Sequence, residues 1–187
     1  MSDFRKLLNR IRSNEATLES INLIGSRIHD IEVELLAQAL RYNTKVKEID
    51  FYSNQIGPKG AKALAELLKK NKTLTFLHLG HNPIGDEGAQ FLAEALEKNT
   101  TLENLNLDEG KIGDEGAIAL AKSLTINTTL KILDLSHNKI VATGLQALEK
   151  AYNGTNLYLQ GQKPIPPSSS FKPISVTVNT NLLLHFR

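Results

Sequence analysis

The chain of 187 residues has no cysteine, no tryptophan and a single methionine. Without cysteine there is no disulfide framework, no thiolate zinc site and no cysteine nucleophile. No apolar run approaches the roughly 18 residues of a membrane span. Residues 1–17 are charged and lack the apolar stretch of a secretory signal, so a cytoplasmic location is expected. Net charge is also scarce. The 22 basic and 20 acidic residues leave +2, too little to argue for nucleic acid. What is plentiful is leucine, together with an excess of asparagine.

Those two excesses belong to one pattern. Leu23, Phe51, Leu79, Leu107 and Leu135 recur at a constant 28-residue step, and so do Ile28, Ile56, Ile84, Ile112 and Ile140. Gly60, Gly88, Gly116 and Gly144 keep the same step, as do Asn43, Asn71, Asn99 and Asn127. Residues 74–101 and 102–129 are identical at 15 of 28 positions without gaps. Each unit has two halves of different period. Leu77 and Leu79 alternate with His78, which is strand spacing. Ala89, Leu92, Ala93 and Leu96 fall on one helix face. Asp86 sits where that helix starts, and is expected to cap its free N–H groups.

One such unit cannot bury its apolar face alone, so neighbours must stack. Parallel strands lie about 4.8 Å apart and packed helices about 8–10 Å, so the stack curves with its strands inside. Gly88, Ala89, Ala93 and their repeats leave room for close helix packing. Asn54, Asn82 and Asn138 end their strands, where an amide can bond backbone groups left open by the turn. Ser26 and Gly110 replace asparagine in the first and fourth units. A looser turn with positive φ is expected at Gly110.

The pattern LxxLxLxxN-x-I-G-x-x-G-A-x-x-L-A-x-x-L-x-x-N resembles the leucine-rich repeat family. Its 28-residue length and helical second half look like the ribonuclease-inhibitor-like branch, which includes tropomodulin and the Ran GTPase-activating protein. The resemblance implies an α/β fold. It would be a right-handed leucine-rich repeat solenoid with a parallel β-sheet on the concave face and helices on the convex face. It covers residues 18–161, about five repeats and a partial sixth. It says little about function, because that branch serves unrelated partners.

The ends differ from the array. Phe4, Leu7, Leu8 and Ile11 recur at helical spacing, so residues 1–17 read as a capping helix; a short membrane-surface helix is the rival reading. Residues 162–187 are rich in proline and serine, then alternate at Ile174, Val176 and Val178. They read as a tail, either a linker or a cap on the last repeat. Residues 150–187 hold four basic residues and no acid, so residues 1–149 are slightly acidic.

Few residues carry catalytic chemistry. Asn71, Asn99, Asn127 and Asn153 begin Asn-x-Thr sequons, but three of them sit on the 28-residue step and read as repeat turns. The five histidines lack the convergent carboxylate pattern of a metal site. No strained nucleophile turn or phosphate loop is present. No enzyme activity, metal or cofactor is expected.

The side chains between the strand leucines line the inner surface. Taken by repeat they include Glu48, Asp50 and Tyr52, then Phe76 and His78, then Asn106, Asp108 and Glu109, then Asp134 and His137, then Tyr158. Five of these are carboxylates and none is Lys or Arg. Acid without base, together with aromatic anchors, points to a binding face for a protein partner with a basic surface. A monomeric, non-enzymatic interaction module is therefore the leading expectation, with no nucleic acid or membrane partner. The alternatives are regulation of a small GTPase or other nucleotide-binding protein, a capping or cytoskeletal role by analogy with tropomodulin, and a secreted effector acting in a host cytosol.

Overall fold

The computed structural model describes residues 2–151 and 154–161. Asn153 and the segment 162–187 lie outside the described residues. The chain begins with α1 (Ser2–Arg12) and then alternates strand and helix. The strands are β1 (Ser20–Asn22), β2 (Glu48–Asp50), β3 (Phe76–His78), β4 (Asn104–Asn106), β5 (Ile132–Asp134) and β6 (Asn156–Tyr158). The helices between them are α2 (Asp30–Leu40), α3 (Pro58–Leu68), α4 (Gly85–Leu96), α5 (Asp114–Leu124) and α6 (Ala142–Lys150).

All six strands join one parallel sheet in chain order. Ile21, Ile49, Leu77, Leu105 and Leu133 stand opposite one another, each exactly one repeat after the last. The final step, from Leu133 to Leu157, is shorter than the others. Helix α6 has 9 residues where α5 has 11, which accounts for part of that shortening. Sheet on the concave side and helices on the convex side make an α/β leucine-rich repeat solenoid. Its core is aliphatic and continuous: Leu64, Leu92, Leu120 and Leu148 are fully buried in successive helices. Leu8 and Ile11 of α1 join that same core at its N-terminal end.

Two asparagine ladders tie the units together. Asn82 donates to the carbonyls of Phe51 and Leu79, at 2.9 and 3.1 Å, and accepts from the Ile56 N–H at 3.0 Å. Asn54 and Asn138 repeat the arrangement. On the opposite edge, Asn71, Asn99 and Asn127 each donate to a carbonyl of the preceding helix and accept from the turn that follows. All three are buried, as repeat-turn residues must be when each satisfies several backbone groups.

The reading of Asp86 requires correction. It does not cap its own helix, whose preceding residue Ile84 offers no side-chain bond. Its Oδ1 accepts instead from the N–H groups of Gly113 and Gly116, at 2.7 and 2.9 Å, at the start of α5. Asp30 does the same for Gly57 and Gly60 at the start of α3. Asp114 accepts from the Val141 N–H before α6. Each carboxylate thus sits at the positive end of the next helix in the stack. This explains the glycine at 60 and 116. A Cβ at Gly60 would come within 2.6 Å of Asp30 Oδ1, and one at Gly116 within 2.8 Å of Asp86 Oδ1.

The turn at Gly110 also differs from expectation. Gly110 is not left-handed; its neighbours Glu109 and Lys111 are, with φ of 51° and 60°. A left-handed residue at the strand exit is common to the repeats, at Gly25, Ser53, His81, Glu109 and His137. The extra one appears only after the two substituted positions: Arg27 follows Ser26, and Lys111 follows Gly110. The missing asparagine is compensated one residue later.

Candidate protein-binding face

Three registers of side chains project from the sheet. The central one, Asn22, Asp50, His78, Asn106 and Asp134, is half-buried except for exposed Asn22. Most of these residues hold their own turns. Asn22, Asp50, Asn106 and Asp134 each accept, through Oδ1, the backbone N–H two residues on. The carboxylates of Asp50 and Asp134 are therefore partly committed to structure. Burial raises the Asp134 pKa, against the lowering effect of its Ser136 hydrogen bonds. Asn106 also donates to Asp134 Oδ2 at 3.1 Å, linking β4 to β5.

Around repeats two and three the face is aromatic. Tyr52 packs against His78, with ring centroids 5.2 Å apart, and stacks on His81 at 5.8 Å. Phe76 meets His78 edge-on at 6.3 Å. His78 Nδ1 lies 3.2 Å from Asp50 Oδ1 but without hydrogen-bond geometry. Tyr52 is 36% exposed and stands at the rim of this cluster. Phe76 is half-buried, so Tyr52 is the more available anchor.

Around repeats three to five the face is a row of imidazole–carboxylate pairs. His81 Nδ1 is 2.8 Å from Glu109 Oε2, and His137 Nδ1 is 2.7 Å from Asp108 Oδ1. The hydrogen bond to Asp108 raises the His137 pKa, reinforced by Glu109 and Asp134. Glu48 on β2 is exposed and forms no ion pair among the described residues. Tyr158 on β6 is half-buried at the C-terminal edge.

The structure thus brings together Tyr52, Phe76 and His78 in one cluster, and Asn106, Asp108, Glu109, Asp134 and His137 in another. Glu48 and Tyr158 lie apart. Sequence reasoning omitted His81 from the site, although it joins the two clusters through Tyr52 and Glu109. The signal was available, since Glu109 follows His81 by one repeat and neighbouring repeats stand side by side. The lysines that directly precede strands, Lys47 and Lys131, are each held by a glutamate one repeat earlier, Glu19 and Glu103. Among the described residues no group of three or more metal-binding side chains converges. No described helix is long and apolar enough to cross a membrane.

An open sheet face backed by stacked helices defines a leucine-rich repeat protein, a class that works by interaction. Within that class, the family model described as TMOD/LMOD Leucine-rich domain matches residues 1–111, more than half of the chain. A second model, Leucine Rich repeat, matches residues 127–148. The chain belongs to the TMOD/LMOD leucine-rich domain family, and is a protein-interaction repeat module. Among solved structures it is similar to one titled "Leiomodin-1 Actin-Binding Site 2 (ABS2)". That match has 27% identity and a TM-score of 0.65, over 79% of this chain and 88% of the other. The tropomodulin C-terminal domain of Caenorhabditis elegans shares the fold, with a TM-score of 0.68 and 15% identity over 82% and 93% of the two chains. No curated protein matches.

Proposed function

We propose that this chain is an actin-binding module that engages its partner through the concave face. The observation that carries this reading is the 27% identity to a structure titled as an actin-binding site, of which this chain spans 88%. The face supports it chemically. Tyr52 offers an amphipathic anchor, the residue type that most often carries interface energy. Asp108, Glu109 and Asp134 give a negative field with no lysine or arginine on the strands, which suits a basic patch on the partner.

Co-sedimentation with actin filaments, paired with a monomer-binding measurement, tests the reading. The useful variant combines Tyr52→Ala, Asp108→Asn and Asp134→Asn. Asparagine at 134 removes the charge yet keeps the turn bond, as Asn106 does in the same register. The variant should fold normally and bind at least about tenfold more weakly, about 1.4 kcal/mol. Failure of the unaltered chain to bind either form of actin would end the actin assignment. Unchanged affinity in the variant would move the site off this face.

A further inference from the structure

The convex side follows a rule with one exception. In each helix four positions at spacings of four, three and four residues form one row on the convex side. In α3 the ridge is Lys59, Ala63, Glu66 and then Lys70, and in α4 it is Glu87, Phe91, Glu94 and then Lys98. Charge dominates both, and the ammonium of Lys62 covers the Phe91 ring at 5.1 Å. In α2 the same positions are Ile31, Leu35, Gln38 and Tyr42, with no charge among them. These apolar groups are not buried. Ile31 is 68%, Leu35 37% and Tyr42 81% exposed.

Grooves flank the C-terminal half of this ridge on both sides. One of about 360 Å³ separates it from α1, and one of about 330 Å³ separates it from α3. The C-terminal half of the ridge is framed by base. Arg41 lies over the Tyr42 ring at 5.5 Å, while Arg12 and Lys70 line the two grooves. Two acids line the groove beside α3: Glu66 is held by Lys69 at 2.7 Å, and Glu34 is exposed, towards the start of α2 from Gln38 and Arg41.

We infer that the outer ridge of α2 is a second docking surface, fitted to an acidic amphipathic segment of a protein partner. The segment would lay apolar residues along Ile31, Leu35 and Tyr42, and place carboxylates against Arg12, Arg41 and Lys70. The α5 unit also exposes Ile118 and Ile126, but its row carries Glu115 and Lys122. Three exposed apolar side chains in one uncharged row mark an interface rather than ordinary helix surface. This surface is separate from the concave face and does not depend on it.

Fluorescence anisotropy tests it with a labelled helical peptide carrying leucine at helical spacing and glutamate elsewhere. A lysine-for-glutamate counterpart serves as control. The unaltered chain binds the acidic peptide saturably and more weakly as salt rises. The pairs Ile31→Glu with Tyr42→Glu, and Arg41→Glu with Lys70→Glu, each lower affinity at least about tenfold. All four side chains are on the surface, and circular dichroism verifies that the variants fold. The concave-face variant binds the peptide as the unaltered chain does, even if it has lost actin. Absence of binding, equal binding of the lysine peptide, or full affinity in the Ile31/Tyr42 pair overturns the proposal. So does a concentration-dependent dimer abolished by Tyr42→Glu without peptide binding, which would give the ridge to a second copy.

Discussion

The junction leading into α4 and those leading into α3 and α5 meet the same backbone demands by different means. Before α3 and α5, a preceding-helix aspartate takes the first N–H groups of the helix, and a following-repeat asparagine takes the isoleucine N–H. Before α4 neither partner exists. The aspartate position is Pro58 and the asparagine position is Gly110. Here the backbone acts in their place. The Ile84 N–H donates to the Asn82 carbonyl at 2.8 Å, and the Gly85 N–H to the Gly110 carbonyl at 2.9 Å. Gly85 takes a φ of +65°, where Gly57 and Gly113 are extended. The strands still pair one full repeat apart, so the loop absorbs the whole change. A repeat array tolerates sequence divergence where a loop can satisfy the same donors another way.

Breaking the regular junction has the largest expected effect. Asn82→Ala strands two carbonyls and one N–H in the buried interior, at about 1–3 kcal/mol for each unsatisfied group. Chemical denaturation should show a loss of at least about 3 kcal/mol. Next comes Asp86→Ala, which uncaps α5 and should cost about 1–2 kcal/mol by the same measurement. The irregular junction responds to a different change. Gly85→Ala meets no atom within 4 Å, so its cost of about 1 kcal/mol comes from the left-handed backbone alone. If Gly85→Ala were neutral, the backbone substitute would be less demanding than its geometry implies.

The smallest effect concerns the face. The His137 pKa is raised in the folded chain by Asp108. The stabilisation is therefore present below the unfolded histidine pKa and fades as pH rises through the folded one. His137→Gln should flatten that part of the stability–pH profile. The pair is solvent-accessible, so the change is small and shrinks further in salt. Protonated His137 also offsets the charge of Asp108, so a basic partner should bind more tightly above this transition than below it.

The repeat, its strands and its helices were legible because one period recurs at five registers. The capping by Asp86 was misread because its targets lie about a full repeat further along the chain, beyond a local rule for helix starts. Lys111 was missed for a related reason: the loss of asparagine at 110 shifts strain to the next residue. The site was legible as a list of outward side chains, but not in its pairings. Asp50 and Asp134 look free in sequence and are bound to their own turns. His81 looks like an isolated surface histidine and is the link between the aromatic and acidic clusters. The apolar ridge of α2 shows only when helices are compared register by register with exposure known.

Hydrogen–deuterium exchange of the chain with and without actin tests the central claim most directly. Binding through the concave face predicts slowed exchange at the strand exits, residues 50–54, 78–82, 106–110 and 134–138, with α3 to α5 unchanged. Protection confined to those helices, or no protection with saturating actin, would contradict it.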